Sequence, residues 1–159
     1  MREPTPAQIA LALARHISRD AELESATYEL GLARPRVFMF DDTQNRDDGA
    51  PHIIVAPVHD SGGRGNDDET EIAVVVTVRD NENPNPAIEI DPESEVALEE
   101  GAKVFDDFAA LVWDSIQRAE PGSVLQGRSA EWDFAGCYPL RFVGFTLTYR
   151  TIHSFDEEE

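Results

Sequence analysis

Apolar residues recur at helical spacing in two stretches of the chain and alternate at strand spacing in several shorter ones. Near the start, Ile9, Leu13 and Ile17 share one helix face. Thr5 is suited to cap that helix and Pro6 to its first position, so the pattern predicts a helix from about Pro6 to Arg19. A longer helix is predicted from about Glu93 to Arg118, with Asp91 as its cap and Pro92 at its first position. Leu98, Ala102, Phe105, Ala109, Val112 and Ile116 form its apolar stripe, widened by Val104, Phe108 and Leu111. Glu99, Lys103, Asp106, Asp114 and Gln117 line the opposite side, as in a helix lying across a sheet. Pro121 and Gly122 end it.

The strand pattern appears first in Arg36-Val37-Phe38-Met39-Phe40, then from His52 to Val58 and from Thr70 to Arg79. In the last of these Ile72, Val74, Val76 and Val78 fall on one face. Glu71, Ala73, Val75, Thr77 and Arg79 fall on the other, which predicts a strand whose middle is covered on both sides. Beyond the long helix, Val124 to Phe134 reads as an irregular strand and Leu140 to Ile152 as a regular one that pairs with a neighbour and closes the sheet. Turn-forming residues collect in three connections: Asp41 to Pro51, a protruding loop from His59 to Glu69, and the Pro-rich stretch from Asn81 to Pro92. The expected fold is α+β, a small mixed or antiparallel β-sheet with an N-terminal helix and one long amphipathic helix packed on it.

At 159 residues and 17.6 kDa, residues 1–159 read as a single domain, with an acidic flexible tail from about 154. A chain of that size buries roughly 70% of its unfolded surface and needs no covalent staple. The one cysteine, Cys137, cannot form an internal disulfide, and the first residues carry no secretory pattern, so folding in a reducing cytoplasm is expected. Apolar runs are far shorter than the ~20 residues needed to cross a bilayer, and no membrane role is expected. The formal charge of −19 repels phosphate backbones and anionic lipid, which disfavours direct grasping of nucleic acid.

No catalytic, cofactor or metal site emerges. Gly62-Gly63-Arg64-Gly65 precedes a strand, not a helix N-terminus, lacks a Lys-Ser or Lys-Thr pair, and is followed by Asp67, Asp68 and Glu69, so it does not cradle phosphate. Asp41, Thr43, Asn45 and Asp47 approach an oxygen-rich cation loop, but Arg46 stands where the turn needs Gly and His52 where it needs Glu. His16, His52, His59 and His153 show no ligand spacing. Cys137 has no basic neighbour or helix start to activate its thiol.

Three segments carry a resemblance: Glu71-Ile72-Ala73-Val74-Val75-Val76-Thr77-Val78, Phe105-Asp106-Asp107-Phe108-Ala109-Ala110-Leu111-Val112, and the ending from Leu140 to Arg150. In type and order they resemble the tail terminator, or tail completion, proteins of long-tailed bacteriophages. That resemblance implies a virion protein assembled in the host cytoplasm as a homo-oligomeric ring, a hexamer, that caps the tail tube and joins it to the neck or head-completion proteins. It implies no enzyme activity. The loop residues Arg46, Asp47, Asp48, Arg64, Asp67, Asp68 and Glu69 are the candidate assembly contacts, since ring formation uses two different surfaces of each subunit. Another neck or head-completion adaptor, and an acidic DNA mimic that occupies a DNA-binding protein, remain as alternatives.

Overall fold

A computed structural model of the chain describes residues 4–40, 50–61, 67–79, 88–137 and 140–152. Helix α1 (Pro6–Arg19) begins with a reciprocal capping box: the Gln8 N–H donates to Thr5 Oγ1 at 3.2 Å and the Thr5 N–H to Gln8 Oε1 at 2.8 Å. Its buried residues are Ile9, Ala10, Leu13, Ala14 and Ile17, one apolar stripe. Asp20 ends α1 and caps α2 (Ala21–Glu29), accepting from the N–H groups of Glu22 and Leu23. The sequence pattern did not predict α2, because only Leu23 and Thr27 of its nine residues are buried and no apolar stripe marks it. Gly31, at φ 81°, closes it in the left-handed conformation.

The strands that follow are β1 (Arg36–Met39), β2 (His52–Ser61), β3 (Asp67–Arg79), β4 (Ile88–Ile90) and β5 (Ala97–Glu99). After helix α3 (Glu100–Arg118) come β6 (Val124–Cys137) and β7 (Leu140–Ile152). Five strands form one mixed sheet in the order β1-β2-β3-β7-β6, with β1 and β2 parallel and every other pair antiparallel; β4 and β5 form a separate antiparallel pair. The fold is therefore α+β, a mixed sheet with helices, as the pattern predicts.

Helix α1 packs on β1, β2 and β3, and α3 on β3 and β7 beside α1 and α2. The core lies between them. Ile53 and Val55, Ile72 to Val78 at alternate positions, and Val143, Phe145, Leu147 and Tyr149 meet Phe105, Phe108, Ala109, Val112 and Ile116 there. Period two on the strands and period 3.6 on the helices thus converge on one interior. Tyr149 carries its hydroxyl into this core without a hydrogen bond, and burial pushes its pKa up to about 12. The folded state keeps Tyr149 protonated where the unfolded chain ionises, so stability falls as pH rises above about 10, by roughly 2–3 kcal/mol at full ionisation of the unfolded chain. Tyr149→Phe is expected to match or exceed the wild type at pH 7 and to flatten that alkaline loss in urea titrations.

Four expectations are corrected. The long helix starts at Glu100, not near Glu93: Asp91 instead accepts from the backbone N–H of Ser94 at 3.1 Å and from its hydroxyl, turning β4 into β5. A Pro and a local Asx bond favour a turn as readily as a helix start, and Leu98 consequently sits on a strand and not on the stripe. Of the loop expected from His59 to Glu69, His59, Asp60 and Ser61 are strand residues paired with Glu71, Thr70 and Glu69, Asp67 and Asp68 belong to the next strand, and 62–66 lie outside the described residues. The middle of β3 is covered by helices on one side alone among the described elements, while Ala73, Val75 and Thr77 on the other side are half-buried. Finally, β7 does not close the sheet; it is an inner strand between β3 and β6, and β6 is the edge.

Candidate assembly surfaces

The contact residues expected from the sequence are dispersed. Arg46, Asp47, Asp48 and Arg64 lie outside the described residues. Asp67, Asp68 and Glu69 belong to β3, where they pair with Ile152, Thr151 and Arg150 of β7 and so stand in a ladder between two strands, not on a loop. Glu69 is exposed. Cys137 ends β6, and His59 is an exposed strand residue opposite Glu71. Among the described residues no group of three or more His, Cys, Asp or Glu is placed to hold a metal ion, and no helix is long and apolar enough to cross a membrane.

The sheet presents its second face to no described helix. Alternation places Phe38 of β1, Ile54 and Ala56 of β2, Ala73, Val75 and Thr77 of β3, and Phe142, Gly144, Thr146 and Thr148 of β7 on that face, all half-buried. His52, buried against Phe38 with ring centroids 5.5 Å apart, extends it. The centre of this surface is apolar or hydroxylic, and charge gathers at its margins in Arg36, Glu71, Arg79, Glu131, Asp133 and Arg150. That arrangement, an uncharged middle within a polar rim, is the anatomy of a protein-binding surface.

A second feature lies on the helix side of β6. The two tryptophans of the chain gather there: the Trp132 ring packs edge-on to Phe105 and Phe145 at about 6 Å, and the Arg128 guanidinium stands 4.3 Å from the Trp113 ring centroid. Trp132 remains 42% exposed. Sequence reasoning missed this ledge. Arg128, Ala130 and Trp132 do alternate along β6, but Trp113 lies off the main stripe of α3, and nothing local says that the two come together.

The helix layer is fastened at one end by Asp20. The Arg118 guanidinium of α3 donates to its carboxylate, His16 of α1 stands 3.6 Å away, and Arg118 also reaches Glu22 at 3.4 Å. Burial opposes the charge of Asp20, but the Ser115 hydroxyl, Arg118 and the Leu23 N–H together hold its carboxyl below the ordinary value. Ser115 Oγ makes no hydrogen bond of ordinary length, so its part is that of a nearby dipole. A carboxyl depressed in the folded state contributes stability above its unfolded pKa, and that contribution is lost as pH falls through the folded value. Asp20→Ala is expected to cost about 1–2 kcal/mol at pH 7, a cap and a partly screened ion pair, and in urea unfolding the ion-pair part of the difference from wild type should shrink as pH falls through and below the ordinary carboxylate range.

A single five-stranded mixed sheet, with helices on one face and an uncharged centre on the other, defines an α+β domain. No protein-family model matches the chain, and no curated protein sequence matches it.

Proposed function

We propose that the chain is a structural assembly protein of the tail terminator kind, forming a ring that caps a phage tail tube and joins it to the neck. The observation that carries this reading is the one-sided cover of the sheet. A face holding Ile54, Val75 and Phe142 on its inner strands and Phe38 at one end leaves apolar surface in water, and docking would recover roughly 25 cal/mol per Å² of it buried. The order of elements from α1 through the final β6-β7 hairpin supports the same reading, as do the acidic surfaces. A ring with an acidic lumen would repel passing DNA and keep it from adhering.

Electron microscopy of the purified protein, alone and mixed with tail tubes, tests it. A sixfold annulus at one end of the tube is the expected result. Failure to form rings under either condition, or a solitary monomer that turns over a small molecule, would overturn the reading. Neutralising the lumen carboxylates of such a ring should slow DNA passage; unchanged passage removes the electrostatic part.

A further inference from the structure

We propose that β1 of one copy adds to the outer edge of β6 of the next, so that the sheet continues from subunit to subunit; this inference rests on the assembly reading above. The sheet has two ends, β1 and β6, and among the described residues neither has a strand on its outer side. An edge as long as β6 is a template for pairing unless something covers it. Between its two bulges, β6 pairs regularly with β7 from Gly127 to Asp133, which leaves a stretch longer than the four residues of β1. Following the strand directions across the sheet, β6 runs opposite to β1, so the added pair would be antiparallel, like most pairs already present.

The side chains on the two edges match face by face. On the helix side β1 carries the half-buried Val37 and Met39, and β6 carries Ala130 and Trp132. Trp132 is then the aromatic anchor, its open flank covered by β1 of the neighbour. On the other side β1 carries Arg36, and β6 carries Glu131 and Asp133. Sliding the antiparallel register by two residues keeps Arg36 directly or diagonally opposite Glu131. The wider charge distribution agrees. Residues 4–40, which supply the β1 end, hold four arginines against four carboxylates, whereas residues 88–137, which supply the β6 end, hold twelve carboxylates against three cations. Joining unlike ends brings the nearly neutral flank to the acidic one and avoids setting two acidic flanks together. The contact is head-to-tail, the kind that generates rings when the rotation closes.

The test is a charge exchange. Wild type, Glu131→Arg, Arg36→Glu and the double variant would be compared by sedimentation velocity, alone and with tail tubes, with circular dichroism to check folding. Both altered residues are exposed. Each single variant is expected to weaken ring formation about tenfold or more, and the double variant to recover it. Cross-linking provides a second measurement, independent of charge. With Cys137→Ser, Glu131→Cys and Arg36→Cys in one chain, a short bis-maleimide should give a ladder of linked subunits.

Single variants that assemble like wild type, a double variant that does not recover, or cross-linking that yields monomers from assembled rings would each overturn the proposal. Single variants that form normal rings but lose tube docking would give the edges to another partner and overturn it equally. In all of these outcomes the assembly reading stands. A wild type that forms no ring with or without tubes instead removes the assembly reading, and this inference with it.

Discussion

Phe105→Asp is expected to leave no cooperatively folded protein at 25 °C. The ring is fully buried, packs edge-on to Trp132 and lies on the stripe with Phe108, Ala109 and Val112 that α3 sets against the sheet. Truncation alone, as Phe105→Ala, should cost about 3–5 kcal/mol through lost transfer energy and the cavity left behind. The aspartate adds a carboxylate in an apolar interior. Against a total stability of roughly 5–15 kcal/mol, the two effects together exceed what a domain of this size withstands. Circular dichroism and urea titration would show it. The neighbouring Asp106→Asn, at an exposed position, should stay within about 0.5 kcal/mol of wild type, so a large effect there would mean that α3 faces the other way.

Removing Glu99 has the next largest expected effect. Arg141, at the start of β7, is 2% exposed, and its guanidinium donates to the Glu99 carboxylate at the point where β5 gives way to α3. Breaking a buried pair by deleting one partner can cost about 3–5 kcal/mol; here Glu99 is itself 37% exposed, so water moderates the loss and about 1–3 kcal/mol is expected for Glu99→Ala. Replacing both partners, Glu99→Ala with Arg141→Met, should recover much of that, because no buried charge is then left behind. A double-mutant cycle in urea measures the coupling, and purely additive losses would show that the pair does not fasten α3 to the sheet.

Much of the fold is legible in local pattern. The capping box at Thr5 and Gln8, the alternation of Ile72 to Val78, and the bounds of β7 all depend on residues a few positions apart, and the structure agrees with them. Where local signals were ambiguous, longer-range pairing decided. Asp91-Pro92 suits a helix start and a turn equally well, and the pairing of Ile88 to Ile90 with Ala97 to Glu99 selects the turn. His59 to Ser61 have loop-like composition but belong to β2, because their partners Glu69 to Glu71 hold them in the ladder.

The surfaces proposed for assembly were less legible. Loops rich in charge drew attention to Arg46, Asp47, Asp48 and Arg64, which lie outside the described residues, and to Asp67, Asp68 and Glu69, which are strand residues. The edge of β6 and the Trp113, Arg128 and Trp132 ledge depend on which strand ends the sheet and which helix lies beside it. No window of sequence contains that information.

The sequence by itself determined which side of α1, α3, β3 and β7 carries the regular apolar positions, where α1 begins and α3 ends, and how acidic the molecule is, because these follow from side-chain type and periodicity within one element. Only the tertiary structure decided that β7 lies inside the sheet, that β1 and β6 form its ends, and that one face of the sheet has no helix over it among the described residues. Strand order is chosen by contacts between residues far apart in the chain, such as Val74 with Phe145, whose free energy depends on the whole assembled core and not on any neighbourhood along the backbone.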